Sequence, residues 1–339
     1  MSEIVQLGER EMKTFFKIVG GVVLAAVALI AIGVIWLMAK KPASRPAAAE
    51  KIEATPARMA RGKYLVEHVS PCLDCHSDHV LKFGMPVKPG TEGQGGYIFD
   101  KQLGFPGVVA AQNITSDAEF GLGNWTDGEI IRAVREGVDR KGEALFPMMP
   151  YEHFRSMSDE DVKSVVTYIR TLKPIHKGVP DKHLDFPVNL MIKFAPKPVE
   201  GAVTSPDPHN SVAYGKYLTT IAGCYECHTP HDDHNALIAD RPFAGGWDMK
   251  GPFGHNVTAN LTPAGAYMSH ATKDEFIGRF KAFASMDASN APETPLNHNT
   301  VMPWIGYAGM TENDLGAIYD YLKTVKPIEN KVVTFPDAK

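Results

Sequence analysis

The feature that most restricts the fold is an internal repeat. The stretch 62-GKYLVEHVSPCLDCH-76 returns as 215-GKYLTTIAGCYECH-228, one residue shorter. Farther on, 149-MPYEHFRSMSDEDVKSVVTYIRTLKPI-175 returns without a gap as 302-MPWIGYAGMTENDLGAIYDYLKTVKPI-328. His76 and Met149 are 73 positions apart, and His228 and Met302 are 74 apart. Between these blocks 113-NIT reads against 256-NVT, which suggests a repeated polar turn. A chain that repeats itself in this way predicts two copies of one structural unit, residues 58–175 and 211–328.

Each copy reads as helical. Ser158 is a good N-cap, with Asp159, Glu160 and Asp161 in the positive first turn. Val162, Val165, Val166, Ile169 and Leu172 then recur at helical spacing. In the second copy Thr311 caps, and Leu315, Ile318, Tyr319, Leu322 and Val325 form the stripe. Pro174 and Pro327 stop the two helices at the same point. Each unit therefore opens with a helix ending in Cys-x-x-Cys-His and closes with a capped amphipathic helix. Tyr64 and Tyr168, and Tyr217 and Tyr321, are expected where these helices cross. No alternating pattern long enough for a sizeable strand occurs, so the expected fold is all-α.

All four cysteines fall in the two copies, as 72-CLDCH-76 and 224-CYECH-228. Cys-x-x-Cys-His is the attachment signature of c-type haem. Two thiols three residues apart lie on one side of a helical turn and reach the two vinyl groups of one porphyrin. The next residue, His76 or His228, then lies beneath the iron. A shared zinc site would need Cys pairs about 15–20 residues apart, far closer than these. A thioredoxin-like pair needs a βαβ setting, and a disulfide explains neither the histidine nor the repetition. The expected cofactors are two covalent haem c groups, on Cys72 and Cys75 and on Cys224 and Cys227.

A methionine opposite the histidine raises the potential of an electron-transfer haem. The repeat nominates Met149 and Met302, each followed by proline and an aromatic residue. Met157 and Met310 are also matched, but each directly precedes an N-cap and faces Val162 or Leu315 four positions into the helix. That is a hydrophobic staple, a structural role. Met148 has Val301 as its counterpart and is expected in the core. His79, His231 and His234 follow the motifs closely; they read as surface residues, with bis-histidine ligation as the alternative.

Outside the units, Ile18–Ala39 is a run of 22 uncharged residues. A helix of that length covers roughly 30 Å, the thickness of a bilayer core. Lys17 closes one end, Lys40 and Lys41 the other, and Trp36 stands where an interfacial aromatic would. A cleaved signal peptide is the alternative, but the run is long for one. Residues 1–17 precede the span and are expected on its cytoplasmic side, 40–57 read as a semi-extended Ala/Pro-rich tether, and 329–339 as a tail. Residues 176–210 are rich in proline, yet the apolar run FPVNLMIKFA predicts that this segment packs on its neighbours. The net charge of −4 gives no pull toward nucleic acid.

The stretch NITSDAEFGLGNWTDGEIIRAVREGVDRKGEALFPMMPYEHFRSMSDEDVKSVVTYIRTLKP resembles bacterial membrane-bound multihaem cytochromes c. These include the cytochrome subunits of alcohol, aldehyde and gluconate dehydrogenases. The resemblance spans residues 58–328 and is sharpest in the G-N-W, P-x-M-P-Y and M-S-D-E-D-V blocks. It implies two tandem cytochrome c domains, ligands His76, Met149, His228 and Met302, and electron transfer at the periplasmic face. The dehydrogenase subunits typically hold three haems and lack a long N-terminal span, whereas this sequence has two motifs and such a span.

The expectation is therefore an electron carrier, not an enzyme. It would be held by one span in the bacterial inner membrane, with the haem units in the periplasm, where haem c is attached. The expected route runs from a quinol-oxidising membrane respiratory complex to a terminal oxidase or soluble cytochrome. The alternative is acceptance from a periplasmic dehydrogenase. A di-haem peroxidase or sulfur-compound oxidoreductase is less compatible with two matched Met ligands, because such chemistry needs an open iron site.

Overall fold

The computed structural model describes residues 2–233, 235–251, 254–295 and 298–336. It opens with helix α1 (Ser2–Ala39), in which Met12–Ala39 is long and apolar enough to cross a membrane, its side chains facing outward. The first repeat holds α2 (Pro56–Tyr64), which runs through a wide π-type turn into α3 (Cys72–His76). It continues with α4 (Asp127–Glu136), α5 (Tyr151–Phe154) and α6 (Asp159–Ile169). After α7 (Val188–Met191), the second repeat supplies α8 (Ser211–Ile221), α9 (Cys224–His228), α10 (Lys273–Lys281), α11 (Trp304–Ala308) and α12 (Glu312–Thr324).

The capping predictions translate directly into geometry. The Ser158 side chain accepts from the Asp161 N–H and that of Thr311 from the Asp314 N–H. Thr126 and Thr272 start α4 and α10 with reciprocal capping boxes to Glu129 and Glu275. In each repeat the first and last helices cross at a glycine. A Cβ on Gly62 would stand 1.9 Å from the Ser164 carbonyl oxygen, and one on Gly215 would stand 1.9 Å from that of Ala317. Only glycine admits such an approach.

The chain is mainly helical, with small sheets that the sequence did not foretell. β1 (Ile98–Phe99), β2 (Gly107–Ala110) and β3 (His183–Leu184) form an antiparallel sheet in that order. In the second repeat β4 (Asp248–Gly251) and β5 (Gly254–Val257) form a hairpin. Strands of two to four residues are too short for an alternating pattern to stand out.

Buried residues of both repeats join in one continuous core. Two of the four tyrosines expected within the helix crossings, Tyr64 and Tyr217, instead bridge the repeats. Tyr64 donates to Asp314 Oδ2 at 2.6 Å and accepts from the Thr311 N–H at 3.1 Å. Tyr217 donates to Asp161 Oδ2 at 2.6 Å and accepts from the Ser158 N–H at 3.0 Å. Tyr168 stays within its repeat and bonds Glu67.

Residues 40–55 run extended, and they are laid along the first repeat. Arg45 reaches the fully buried Glu136 at 2.7 Å, the Ile52 N–H donates to Asp127, and Ala48 lies on Gly128. The segment between the repeats also packs, as expected: β3 joins β2, and Leu184 and Ile192 are buried with Ala144.

Candidate haem sites

The two Cys-x-x-Cys-His stretches form the five-residue helices α3 and α9. Helical spacing brings each cysteine pair to one side of its turn. All four thiols are unpaired: Cys72 and Cys224 are half-buried, Cys75 and Cys227 exposed. A disulfide across either motif is therefore not formed. Among the described residues no group of three or more His, Cys, Asp or Glu side chains is placed to hold a metal ion.

The histidines are oriented alike. His76 Nδ1 lies 2.6 Å from the Gln112 carbonyl oxygen, and His228 Nδ1 lies 2.7 Å from that of Ala259. A carbonyl only accepts, so Nδ1 carries the proton and donates. Nε2 is left with its lone pair, the form an imidazole needs to bind iron. Burial holds both imidazoles below the usual histidine range, which favours the same neutral form.

The carbonyls that orient these rings are themselves clamped by the next residue. Asn113 donates to the carbonyls of Ile175 and Lys177 and accepts from the N–H and hydroxyl of Thr115. Asn260 does the same with Ile328, Asn330 and Thr262. The structural counterpart of Asn113 is therefore Asn260, in 260-NLT-262, and not Asn256 as the sequence match suggested. Asn256 lies in β5, four residues earlier. The hairpin β4–β5 belongs to a loop whose length differs between the repeats, and it carries a similar Asn-Val-Thr triplet that drew the sequence match.

Two glycines complete the arrangement. Gly95 and Gly245 donate their N–H groups to the carbonyls of His76 and His228. Their φ angles are +72° and +64°. A Cβ on Gly95 would lie 2.6 Å from the Ala111 oxygen, and one on Gly245 would lie 2.4 Å from the Ala259 carbonyl carbon. Sequence reasoning missed these residues and both asparagines' role, although the doubled glycines at 95–96 and 245–246 were a usable signal.

Met149 and Met302 sit on the loops that enter α5 and α11. Both are half-buried against the core on which Cys72 and Cys224 also pack. In each loop the second residue after proline's predecessor folds back: Tyr151 N–H donates to the Met149 carbonyl at 2.7 Å, and Trp304 N–H to that of Met302 at 2.8 Å. Met157 and Met310 are each 1% exposed, beside Val162 and Leu315, which agrees with the staple role. Met148 is not a core residue as expected: it is 38% exposed. His79 packs edge-on against Tyr97, and His231 stacks on Trp247 with ring centroids 4.0 Å apart. His234 lies outside the described residues.

The two motifs face each other. Ser70, just before α3, donates to the Ile221 carbonyl at 2.7 Å, and His68 Nδ1 of the first repeat lies 3.0 Å from the Gly306 carbonyl oxygen of α11. His153 of α5 meets Glu226 of α9 at 3.0 Å. Its counterpart Gly306 of α11 lies beside Asp74 of α3, whose carboxyl burial pushes up to about 7. Free thiols in pairs, each followed by a histidine with Nδ1 engaged and Nε2 available, are the donor set that a covalent haem requires.

No family model matches the chain. Several curated relatives are cytochrome subunits of fructose, alcohol (quinone) and gluconate dehydrogenases or a diheme cytochrome c, at modest identity. The fructose dehydrogenase cytochrome subunit of Gluconobacter japonicus is 32% identical over 210 residues, covering 56% of this chain and 39% of its own. The alcohol dehydrogenase (quinone) cytochrome c subunit of Gluconacetobacter polyoxogenes is 26% identical over 303 residues, 83% of this chain and 59% of its own. The diheme cytochrome c-type of Cereibacter sphaeroides is 27% identical over 229 residues, 66% of this chain and 73% of its own. The chain spans less than two thirds of the length of most curated relatives it matches. By name these relatives are the cytochrome subunits of dehydrogenases and a diheme cytochrome c.

Proposed function

We propose that this protein is a membrane-held cytochrome subunit that accepts electrons from a periplasmic dehydrogenase. Its residues 58–175 and 211–328 would be two tandem cytochrome c domains, each with one covalent haem c. The observation that carries this reading is the repeated motif whose histidine offers Nε2 while Nδ1 is bonded to a main-chain carbonyl. Cys72 and Cys75, and Cys224 and Cys227, would form the thioethers. His76 and His228 would be the proximal ligands, and Met149 and Met302 the opposite ones. Haem c supplies a one-electron iron couple when bound. The chain's own contribution is to fix imidazole tautomer and angle, through the Gln112 and Ala259 carbonyls, and to bring the two motifs together through Ser70 and the His153–Glu226 contact.

The choice of donor departs from the sequence-based expectation. A relay from quinol to a terminal oxidase or soluble cytochrome came first there, on the strength of the span and the two-motif count. The relatives' names favour the dehydrogenase route instead, and the diheme relative supports a two-haem count. Placement follows the earlier argument: residues 1–17 cytoplasmic, residues 18–39 across the bacterial inner membrane, and the haem units periplasmic. Helix α1 is the candidate span that supports it.

Two measurements test the proposal. Denatured mature protein should keep two haems by mass spectrometry, with no free thiol. Membranes should reduce the haems when given an alcohol, aldehyde or sugar acid, and quinol-site inhibitors should not block that reduction. Reduction by quinol alone, abolished by such inhibitors, would instead establish the respiratory relay.

A further inference from the structure

The segment between the repeats leaves three large apolar side chains uncovered. Phe186 is 73% exposed, Met191 61% and Phe194 48%. Their neighbours Leu184 and Ile192 are buried, so the segment is fixed on the protein. Met191 and Phe194 are three positions apart in a continuous helical stretch, α7 and the 3-10 turn Ile192–Phe194, and so share a side. Isolated exposed apolar residues are ordinary, whereas a grouped set on a fixed element marks a contact surface.

This surface adjoins the end of α1. Lys193 Nζ donates to the carbonyls of Leu37 at 3.3 Å and Met38 at 2.7 Å. The last carbonyls of a helix have no intrahelical partners, and α1 has no basic residue in its own last turn. A cation from the inter-repeat segment therefore closes the helix end, where the helix dipole is negative. The Lys40 ammonium lies 4.4 Å from the Phe194 ring centroid and 4.9 Å from that of Trp36. Phe194 is thus placed beside Trp36, where the span would leave the hydrocarbon layer.

We propose that residues 186–195 form a foot that rests in the lipid interface of the bilayer holding α1. Phe186, Met191 and Phe194 enter the interfacial layer, and Lys40, Lys41 and Lys193 lie at headgroup level, where lysine suits anionic phospholipid. The occupant is lipid because the surface continues the end of a helix whose outward side chains already call for lipid. The proposal rests on the reading of α1 as a membrane span. Together with the docked segment around Arg45 and Ile52, the foot holds the folded part at one height and tilt instead of letting it swing.

The test uses the full-length, haem-loaded chain in nanodiscs of phosphatidylcholine and phosphatidylglycerol. A photoreactive benzoylphenylalanine replaces Met191, Leu24 of the span, or Leu81, an exposed apolar residue elsewhere. Met191 and Leu24 probes should yield lipid adducts several-fold above the Leu81 probe. Lipid adducts at Leu24 with none at Met191, or with only protein adducts there, overturn the foot and leave the span standing. No lipid adducts at Leu24 overturn the span reading and the foot with it.

Discussion

Tyr217 of the second repeat donates its hydroxyl to Asp161 of the first at 2.6 Å, and Tyr64 of the first donates to Asp314 of the second at the same distance. The exchange is reciprocal because Tyr64 and Tyr217 are matched positions, as are Asp161 and Asp314. Each tyrosine also receives the main-chain N–H that opens or precedes the closing helix of the other repeat, at Ser158 or Thr311. One hydroxyl thus holds both the cap residue and a first-turn carboxylate of the opposite repeat.

Tyr217→Phe should therefore lower stability by about 1–3 kcal/mol, the range for losing a buried bond to a charged group and orphaning an N–H. Arg61 keeps Asp161 paired, which limits the loss. Tyr64→Phe should act in the same direction. Chemical unfolding of the haem-loaded chain measures both, and haem content should not change.

Alkaline pH should weaken the same join. Burial, with the neighbouring carboxylate, raises both phenols above their ordinary 10.0. A raised value means the folded state keeps a proton that the unfolded state releases. The stabilisation is complete below pH 10.0 and is lost as pH rises above it, toward the folded-state value. Thermal unfolding across that range should show a steeper decline for the native chain than for the Tyr64→Phe, Tyr217→Phe double variant.

The corrected register of the asparagines can be tested by comparing Asn260→Ala with Asn256→Ala. Asn260 satisfies four main-chain or hydroxyl partners around the loop that carries the Ala259 carbonyl. Its loss should cost about 2–4 kcal/mol, since several buried groups are orphaned together. It should also shift the spectrum of the second haem alone. Asn113→Ala should do the same to the first haem. Asn256→Ala should leave the haem spectrum unchanged.

Met149→Ala or Met302→Ala should open one iron to carbon monoxide and lower that haem's potential. Met157→Ala or Met310→Ala should leave both potentials alone and cost about 2–5 kcal/mol, the range for truncating a fully buried methionine. Loss of the iron–sulfur absorption band after Met157 or Met310 replacement would reverse the ligand assignment.

The parts of this protein that were legible in its sequence are those whose chemistry is local. Cys-x-x-Cys-His needs only one helical turn, so 72–76 and 224–228 announce their cofactor without reference to the rest of the chain. Caps such as Ser158 and Thr311, and the staple of Met157 on Val162, also act within a few residues. What pairs with what across 150 residues was decided by packing. Tyr217 could have stayed at its own helix crossing; the shared core of the two repeats is what carries its hydroxyl to Asp161. The clamp at Asn260 was equally hidden, because loop backbone has no periodicity, and only the fold shows which carbonyl meets the histidine. Sequence alone determined that two matched helical units each offer two thiols and an imidazole. The tertiary structure decided how those imidazoles are aimed, that the two motifs face one another, and that the inter-repeat segment closes the end of α1. Each of these depends on the summed burial of many residues distant in sequence, to which no single short pattern corresponds.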